Sequence, residues 1–457
     1  MPLSAPTTAR RTGLDGARRR DGLAATGARR WAGWGTNGAA ARPELDPSVP
    51  VLLMRVGRYP LHHGTVGAIR SLGRLGVPVY CIVEDGFTPA ARSRYLAGHF
   101  RWPTTGREEP AELIDGLLRI GRSIRGRPIL AATDDEAAVL IAEHAVHLRA
   151  VFTVPTVAPG LPRLLATKYM LAALCEEHGI PTPRSLRPSV RDEVLDGAER
   201  LGYPIVVKND APWVRLERPA VPNTAIVSGR SELEALVNSW PQMPSVLLQE
   251  YVPRERATDW IAHAYFGSER DRRVVFTGRK LRSWPPQAGV TTYAYSSSNP
   301  EVAWLTRELC SAVGFRGICD LDWRHDALTG EYKLVDFNPR IGAQFRLFER
   351  ADGVDVIRAM HLDLTGRDLP AGRQIDGRLY VVENLDVPAQ IAYRRAGTLE
   401  GAPRPCRHRE LAWWASDDPV PALVGGVCSA AFGGRQLLSG KFGGYRPAAL
   451  TKGGPCI

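Results

Sequence analysis

From Val49 onward the chain alternates apolar runs with amphipathic ones, and that alternation is what most narrows its fold. VPVLLMRV is apolar almost throughout, as a strand covered on both faces must be. The loop Gly57 to Gly64 follows, then TVGAIRSLGRLG with helical spacing up to Gly76, then VPVYCIVED as a second buried strand. The unit recurs more loosely: AELIDGLLRIGRSI reads as a helix, RPILAAT as a strand, and DDEAAVLIAEHAVHL as one helix opened by an Asp cap. Strands joined through helices pair in parallel, so a parallel sheet covered on both faces is expected. The loop GRYPLHHG lies at the carboxyl end of the first strand, where such sheets bind ligands. It holds no G-x-G-x-x-G, which excludes a dinucleotide fingerprint. Its His62 and His63 are positioned to touch a substrate, although exposure without a role is the plainer reading of two loop histidines.

A length of 457 residues corresponds to about three domains at roughly 150 residues each. With 44% hydrophobic and 23% charged residues the chain is of ordinary globular composition, which excludes collagen, wholesale disorder and a small disulfide scaffold. The charge-free stretch Pro419 to Gly434 is shorter than the ~20 apolar residues a bilayer requires, so no membrane span is expected. Seven cysteines, an odd number without a Cys-x-x-Cys pair, fit neither a zinc ribbon nor a disulfide framework and point to reduced thiols in a cytoplasm. Residues 1–48 form an Arg-, Ala- and Gly-rich extension with no apolar core of a secretory signal. Its arginine runs would attract phosphate, but a solvated disordered tail is favoured over a nucleic-acid arm.

The net charge of +11 conceals a skew: of 59 basic residues only six are lysines, at 168, 208, 280, 333, 441 and 452. Where any cation suffices this chain uses Arg, so a retained Lys marks a need for a compact ammonium on a flexible stem. LATKYMLAALCEEHGIPTP puts Lys168 in the first turn of a helix that stops at Gly179. LGYPIVVKND is a short buried strand with Lys208 near its end, an expensive place for an ammonium unless an anion meets it. SVLLQEYV is another apolar strand, closing on Gln249, Glu250, Tyr251 and Val252, and RVVFTGRKLRSWPP sets Lys280 between Arg279 and Arg282.

GICDLDWRHDALTGEYKLVDFNPR reads as two strands around the turn Asp326–Gly330. Centring it on Thr329 sets Asp322 opposite Asp336 and Asp320 opposite Asn338. Opposed side chains on one face sit roughly 5 Å apart at Cβ, close enough to share a cation. Carboxylates so close repel unless neutralised, and hard oxygen ligands suit Mg2+ carried with phosphate, with Mn2+ as an alternative. Leu321, Trp323, Val335 and Phe337 are expected to bury the other face, which weighs against a merely solvated acidic hairpin.

In this order, from about Val49 to about Val424, the segments resemble the ATP-grasp superfamily, in particular the carboxylate–amine ligase branch that contains D-aspartate ligase. GRKLRSWPPQAGVTTYAY and ELAWWASDDPVPAL each resemble a piece of that branch. The resemblance implies an α/β and α+β chain, with an ATP-grasp fold behind a parallel-sheet domain. The corresponding division is 49–155 for the parallel-sheet domain, 156–370 for the catalytic domain and 371–457 for a C-terminal extension. It implies that Lys168 and Lys208 contact the phosphates of ATP and that Gln249, Glu250, Tyr251 and Val252 contact adenine. It further implies that Asp322, Asp336 and Asn338 hold the metal, and that Arg340, closing Asp-x-Asn-Pro-Arg, acts with Lys280 in catalysis. Two departures stand out: both metal carboxylates are Asp where the family commonly has Glu, and DAPWVRLERPAVPNTAIV lacks the Gly-rich phosphate lid, leaving Arg215 or Arg218 to cover the phosphates.

No nucleophile–base arrangement is identifiable, and an acyl phosphate needs none. The expected reaction has a substrate carboxylate attack the γ-phosphoryl group of ATP, after which an amine, that of an amino acid, displaces phosphate to give an amide and ADP. The partners are thus a small-molecule carboxylate and amine, and a homo-oligomer is compatible with this. A catalytically silent ATP-binding protein and an ATP-grasp kinase or carboxylase are the competing readings. No A-M-K-M-like biotinyl turn is present to favour carboxylation.

Overall fold

The computed structural model describes residues 43–214, 221, 224–286, 289–402 and 408–438, with side chains described as far as 430. The expectations for the first 42 residues, for Arg215 and Arg218, and for Lys441 and Lys452 lie outside the described residues.

The first sheet is built from β1 (Val51–Met54), β2 (Val79–Val83), β3 (Leu96–Arg101) and β4 (Ile129–Ala132), all parallel, in the order β3-β2-β1-β4. One face carries Val51, Leu53 and Cys81 and the other Leu52, Met54 and Leu130, and both are buried. This is why the strand sequences show no alternation. β3 was not legible in the sequence, because LAGHFR buries only Gly98 and Phe100 and sits at the sheet edge. The single helix expected after β4 is broken at His144 into Asp135–Glu143 and Ala145–Leu148. Its Asp cap is present: the Asp134 carboxylate accepts from the amide of Ala137 at 3.0 Å. The same carboxylate also accepts from the amides of Val56 and Gly57, at 3.0 and 2.7 Å, and so fixes the loop leaving β1.

A small antiparallel sheet follows, with β5 (Ser185–Leu186), β6 (Ile205–Asn209), β7 (Thr224–Val227) and β8 (Val246–Glu250) in the order β5-β8-β6-β7. Its inner face packs Val207, Val227 and Leu248 on two helices, Arg191–Leu201 and Arg230–Asn238. The third and largest sheet holds β9 (Ala257–Phe266), β10 (Arg273–Trp284), β11 (Val290–Ser296), β12 (Gly317–Asp326), β13 (Glu331–Asn338), β14 (Arg378–Val381) and β15 (His408–Leu411), in the order β13-β12-β9-β10-β11-β14-β15. Only the β14–β15 pair is parallel in it.

One face of the large sheet, through Ile261, Phe276 and Ile318, shares a core with Val51 and Leu53 of the first sheet and with the helix Val356–Leu364. Residues after 411 then return to the first domain. Asp418 accepts from Arg70 at 3.0 Å and from the Ser93 hydroxyl at 2.7 Å, while Asp417 pairs with Arg74 at 2.8 Å. A carboxylate buried as deeply as that of Asp418 is tolerable only when fully paired, and it meets the guanidinium of Arg70. No described helix is long and apolar enough to cross a membrane.

The hairpin β12–β13 has the expected pairs Asp320↔Asn338 and Asp322↔Asp336. Below them the register shifts by one residue, to Trp323↔Leu334. The turn is therefore centred one half-residue earlier than Thr329, and a bulge at Val335 restores the register for the acids. This corrects one expectation: Leu334, 1% exposed, joins Leu321, Trp323 and Phe337 in the core, whereas Val335 is only half-buried. A bulge adds one residue to one strand and so breaks the period of two.

Candidate active site

Four of the six lysines converge on the groove between the small sheet and the large one. Lys168 is the first residue of the helix Lys168–Glu177, and its ammonium pairs with Asp336 on β13. Lys208, on β6, is 8% exposed and donates to Oε1 of Gln249 at 2.9 Å. Gln249 is itself held through its Nε2, which donates to the Ser185 hydroxyl at 3.1 Å. Lys280, on β10, lies 3.6 Å from Asp322 on β12. Lys333, to which the sequence reading gave no role, lies on β13 with its ammonium 3.3 Å from Glu250 and 3.7 Å from Asp326. Its signal was in the sequence all along, as a lysine kept in an arginine-rich chain.

The segment expected to meet adenine leaves the small sheet at its edge with the groove. The carboxylate of Glu250 is engaged by Lys333 and, at 3.2 Å, by Arg184. Tyr251 is half-buried, and Val252 is buried with its carbonyl accepting from Arg324 at 3.1 Å. Arg324 also binds Asp259 through two bonds of 2.8 and 3.1 Å. The basic cluster around Lys280 is divided by the fold: Arg282 is buried in a bidentate pair with Asp386 at 2.8 and 2.9 Å, and Arg279 approaches Glu400 at 3.9 Å. Only Lys280 of the three pairs with Asp322.

Asp320 faces the groove's inner end, where its carboxylate meets Arg340 at 3.0 Å and His263 at 3.1 Å. Arg340 also reaches Asp135, on the parallel-sheet domain, at 3.5 Å. Asn338 donates to the Asp320 carbonyl at 3.2 Å. The expected site residues from Lys168 to Arg340 are thus assembled around one groove. Asp320, which the hairpin register sets opposite Asn338, joins them, as do Asp135, His263, Arg184, Arg324 and Asp259, whose contacts arise from long-range packing that carries no local sequence signal.

The charges explain what the groove would hold. Burial alone would raise the Asp336 carboxyl, but Lys168 and Lys208 outweigh it and hold the group below its ordinary range. Asp322 moves the other way: burial and the neighbouring Asp320, Asp336 and Asp259 raise it in spite of Lys280. A crowded carboxylate left under-compensated by its lysine gains from a further cation. Lys208 is the reverse case, pushed down to about 8 by burial. Among the described residues it forms no ion pair with a carboxylate, so an anion would complete it. Among the described residues no three or more His, Cys, Asp or Glu are gathered into a metal cage. Two aspartates and an asparagine instead fit Mg2+, which binds through one or two carboxylates together with substrate phosphates.

Close approach at the inner end is enforced by Gly342, where an added Cβ would lie 2.1 Å from the His263 ring and 2.7 Å from the Asp320 carboxylate. Gly342→Ala is therefore expected to lower stability by about 1–3 kcal/mol through overpacking. Denaturant unfolding checks this, and an unchanged midpoint would contradict the packing described.

No family model matches the chain. A D-aspartate ligase from Enterococcus faecium is 22% identical over 269 residues, covering 55% of this chain and 63% of that protein. The match thus spans less than two thirds of that relative's length. An N5-carboxyaminoimidazole synthetase from Staphylococcus aureus, solved with ADP, superposes with a TM-score of 0.53 at 12% identity, over 72% of this chain and 80% of that one. An L-amino acid ligase from Bacillus licheniformis gives a TM-score of 0.51 at 15% identity, over 70% and 75% of the two chains. The protein has the ATP-grasp fold, set behind a parallel-sheet domain.

Proposed function

We propose that the protein is an ATP-dependent carboxylate–amine ligase working through an acyl phosphate, with an amino acid among its substrates. The observation that carries this is the opposition of Lys168, Lys208 and Lys280 to Asp322 and Asp336 across a single groove. Cations and carboxylates interleaved in this way match a nucleotide triphosphate and its metal together. Lys168 and Lys208 would leave their present partners for phosphate oxygens, and the segment Gln249–Val252 would border the base. Asp322, Asp336 and Asn338 would hold Mg2+, which supplies charge neutralisation on the transferring phosphoryl group. Arg340, fixed by Asp320 and Asp135, would orient the substrate carboxylate, and Lys280 would offset charge developing during transfer. The similarity to D-aspartate ligase supports an amino acid as one substrate. Buried free thiols at Cys81, Cys175, Cys310 and Cys319 fit a reducing compartment, and we infer the cytoplasm.

The test supplies ATP, Mg2+ and D- or L-aspartate, each with a panel of amines, and follows ADP and phosphate. Release is expected only when a carboxylate and an amine are both present, and hydroxylamine in place of the amine should give a hydroxamate. Release of AMP and pyrophosphate, or ADP release indifferent to any carboxylate, would contradict the proposal.

A further inference from the structure

The groove's inner end is closed by the parallel-sheet domain, and one side chain there has a polar atom with no partner. His62 caps the helix His63–Gly73: its Nδ1 accepts from the Thr65 amide at 3.2 Å and lies 2.8 Å from the Thr65 hydroxyl. With Nδ1 committed as an acceptor, the proton of the neutral ring resides on Nε2. Burial, and then Arg55, His63 and Arg340, keep the ring well below its ordinary pKa, so it stays neutral. Among the described residues Nε2–H meets no acceptor, so a cap accounts for only half of this imidazole.

The packing sets this ring beside the turn that follows Arg340. A Cβ built on Gly64 would lie 3.0 Å from Cε1 of His62 and 2.8 Å from Cα of Ala343, so the ring and the turn after Arg340 press on the same glycine. The turn is pinned to the first sheet by the amide of Ile341, which donates to the carbonyl of Ala132 at the end of β4 at 3.2 Å. β1 and β4 are neighbours whose following helices pack on opposite faces of the sheet, the position at which sheets of this kind bind ligands. The loop after β1 carries His62, the loop after β4 carries Asp135, and Arg340 enters between them. The charge of Arg340 reaches the His62 ring, and a guanidinium beside a neutral N–H donor is a pair suited to the two oxygens of a carboxylate.

We propose that His62 is a specificity-determining residue that donates from Nε2–H to the carboxylate which Arg340 orients, and that this carboxylate belongs to the small molecule to be activated. The assignment rests on the ligase reading for the fate of that carboxylate, but not for its binding. Two experiments on the full chain separate these. In the first, 15N-histidine spectra are recorded with Mg2+ and a non-hydrolysable ATP analogue while acetate is added as the carboxylate probe. A saturable shift of the His62 Nε2–H signal, lost in Arg340→Ala, is expected, whereas no shift would overturn the proposal. In the second, His62→Asn keeps a good helix cap and removes the Nε2–H donor. It should raise KM, or lower kcat/KM, for the activated carboxylate by roughly ten- to hundredfold, with analogue affinity and Tm unchanged. Wild-type kcat/KM, or a loss matched by an equal fall in Tm, would assign His62 to the cap alone. Should ADP release prove independent of carboxylate while the acetate shift persists, the ligase reading fails and the carboxylate site stands.

Discussion

Asp336→Asn is expected to reduce turnover by about 10²–10³-fold while changing nucleotide affinity far less. Asp336 opposes Asp322 across the hairpin and is held ionised by Lys168 and Lys208. Amidation keeps the shape and removes the charge that would hold the metal. A group that stabilises charge developing during phosphoryl transfer acts mainly in the transition state, so kcat falls more than binding. The same change frees Lys168 from its present partner, which further limits any loss of affinity for phosphate. Steady-state kinetics beside calorimetry with a non-hydrolysable analogue separate the two effects. A rate within a fewfold of wild type would remove Asp336 from the metal site.

Lys208→Ala should act on binding instead, weakening ATP by roughly ten- to hundredfold, the worth of one charge-assisted contact of about 1.5–3 kcal/mol. Lys208 forms no ion pair with a carboxylate among the described residues, and Asp336, which it helps to hold ionised, keeps its pair with Lys168, so the fold should survive. Its pH behaviour gives a second signature. Burial holds the free lysine at about 8, and phosphate favours its charged form. Affinity should therefore fall as pH rises through about 8, and ATP binding above that pH should take up a proton. Calorimetry in buffers of different ionisation enthalpy measures the uptake. Wild-type affinity in a folded Lys208→Ala protein would contradict the phosphate contact.

The register of the acidic hairpin was legible because alternation and a Gly-ended turn are local signals. It came out right for Asp320 and Asp322 even though the turn lies off Thr329, since the bulge at Val335 cancels the offset. The same bulge hid Leu334 from the expected core. The lysines were legible for a different reason: a chain that otherwise uses Arg keeps Lys at four positions of one groove. What orients Arg340 was not legible. Asp320 lies 20 residues before it and was read as a partner of Asn338, while Asp135 comes from another sheet's domain. Nor does any local pattern mark Arg282 as the partner of Asp386, 104 residues away. Pairings of that kind follow from how whole sheets stack and leave no trace in a short window.

The central claim is that a substrate carboxylate takes the γ-phosphoryl group, and the path of its oxygen tests this most directly. The carboxylate that drives ADP release is labelled with 18O and the products are analysed by mass spectrometry. Phosphate carrying one 18O atom per turnover, with unlabelled ADP, is the predicted result, because the amine displaces phosphate together with the oxygen that attacked. Label in AMP would mean attack at the α-phosphorus, and unlabelled phosphate would mean that water, not the carboxylate, received the phosphoryl group; either would contradict the account.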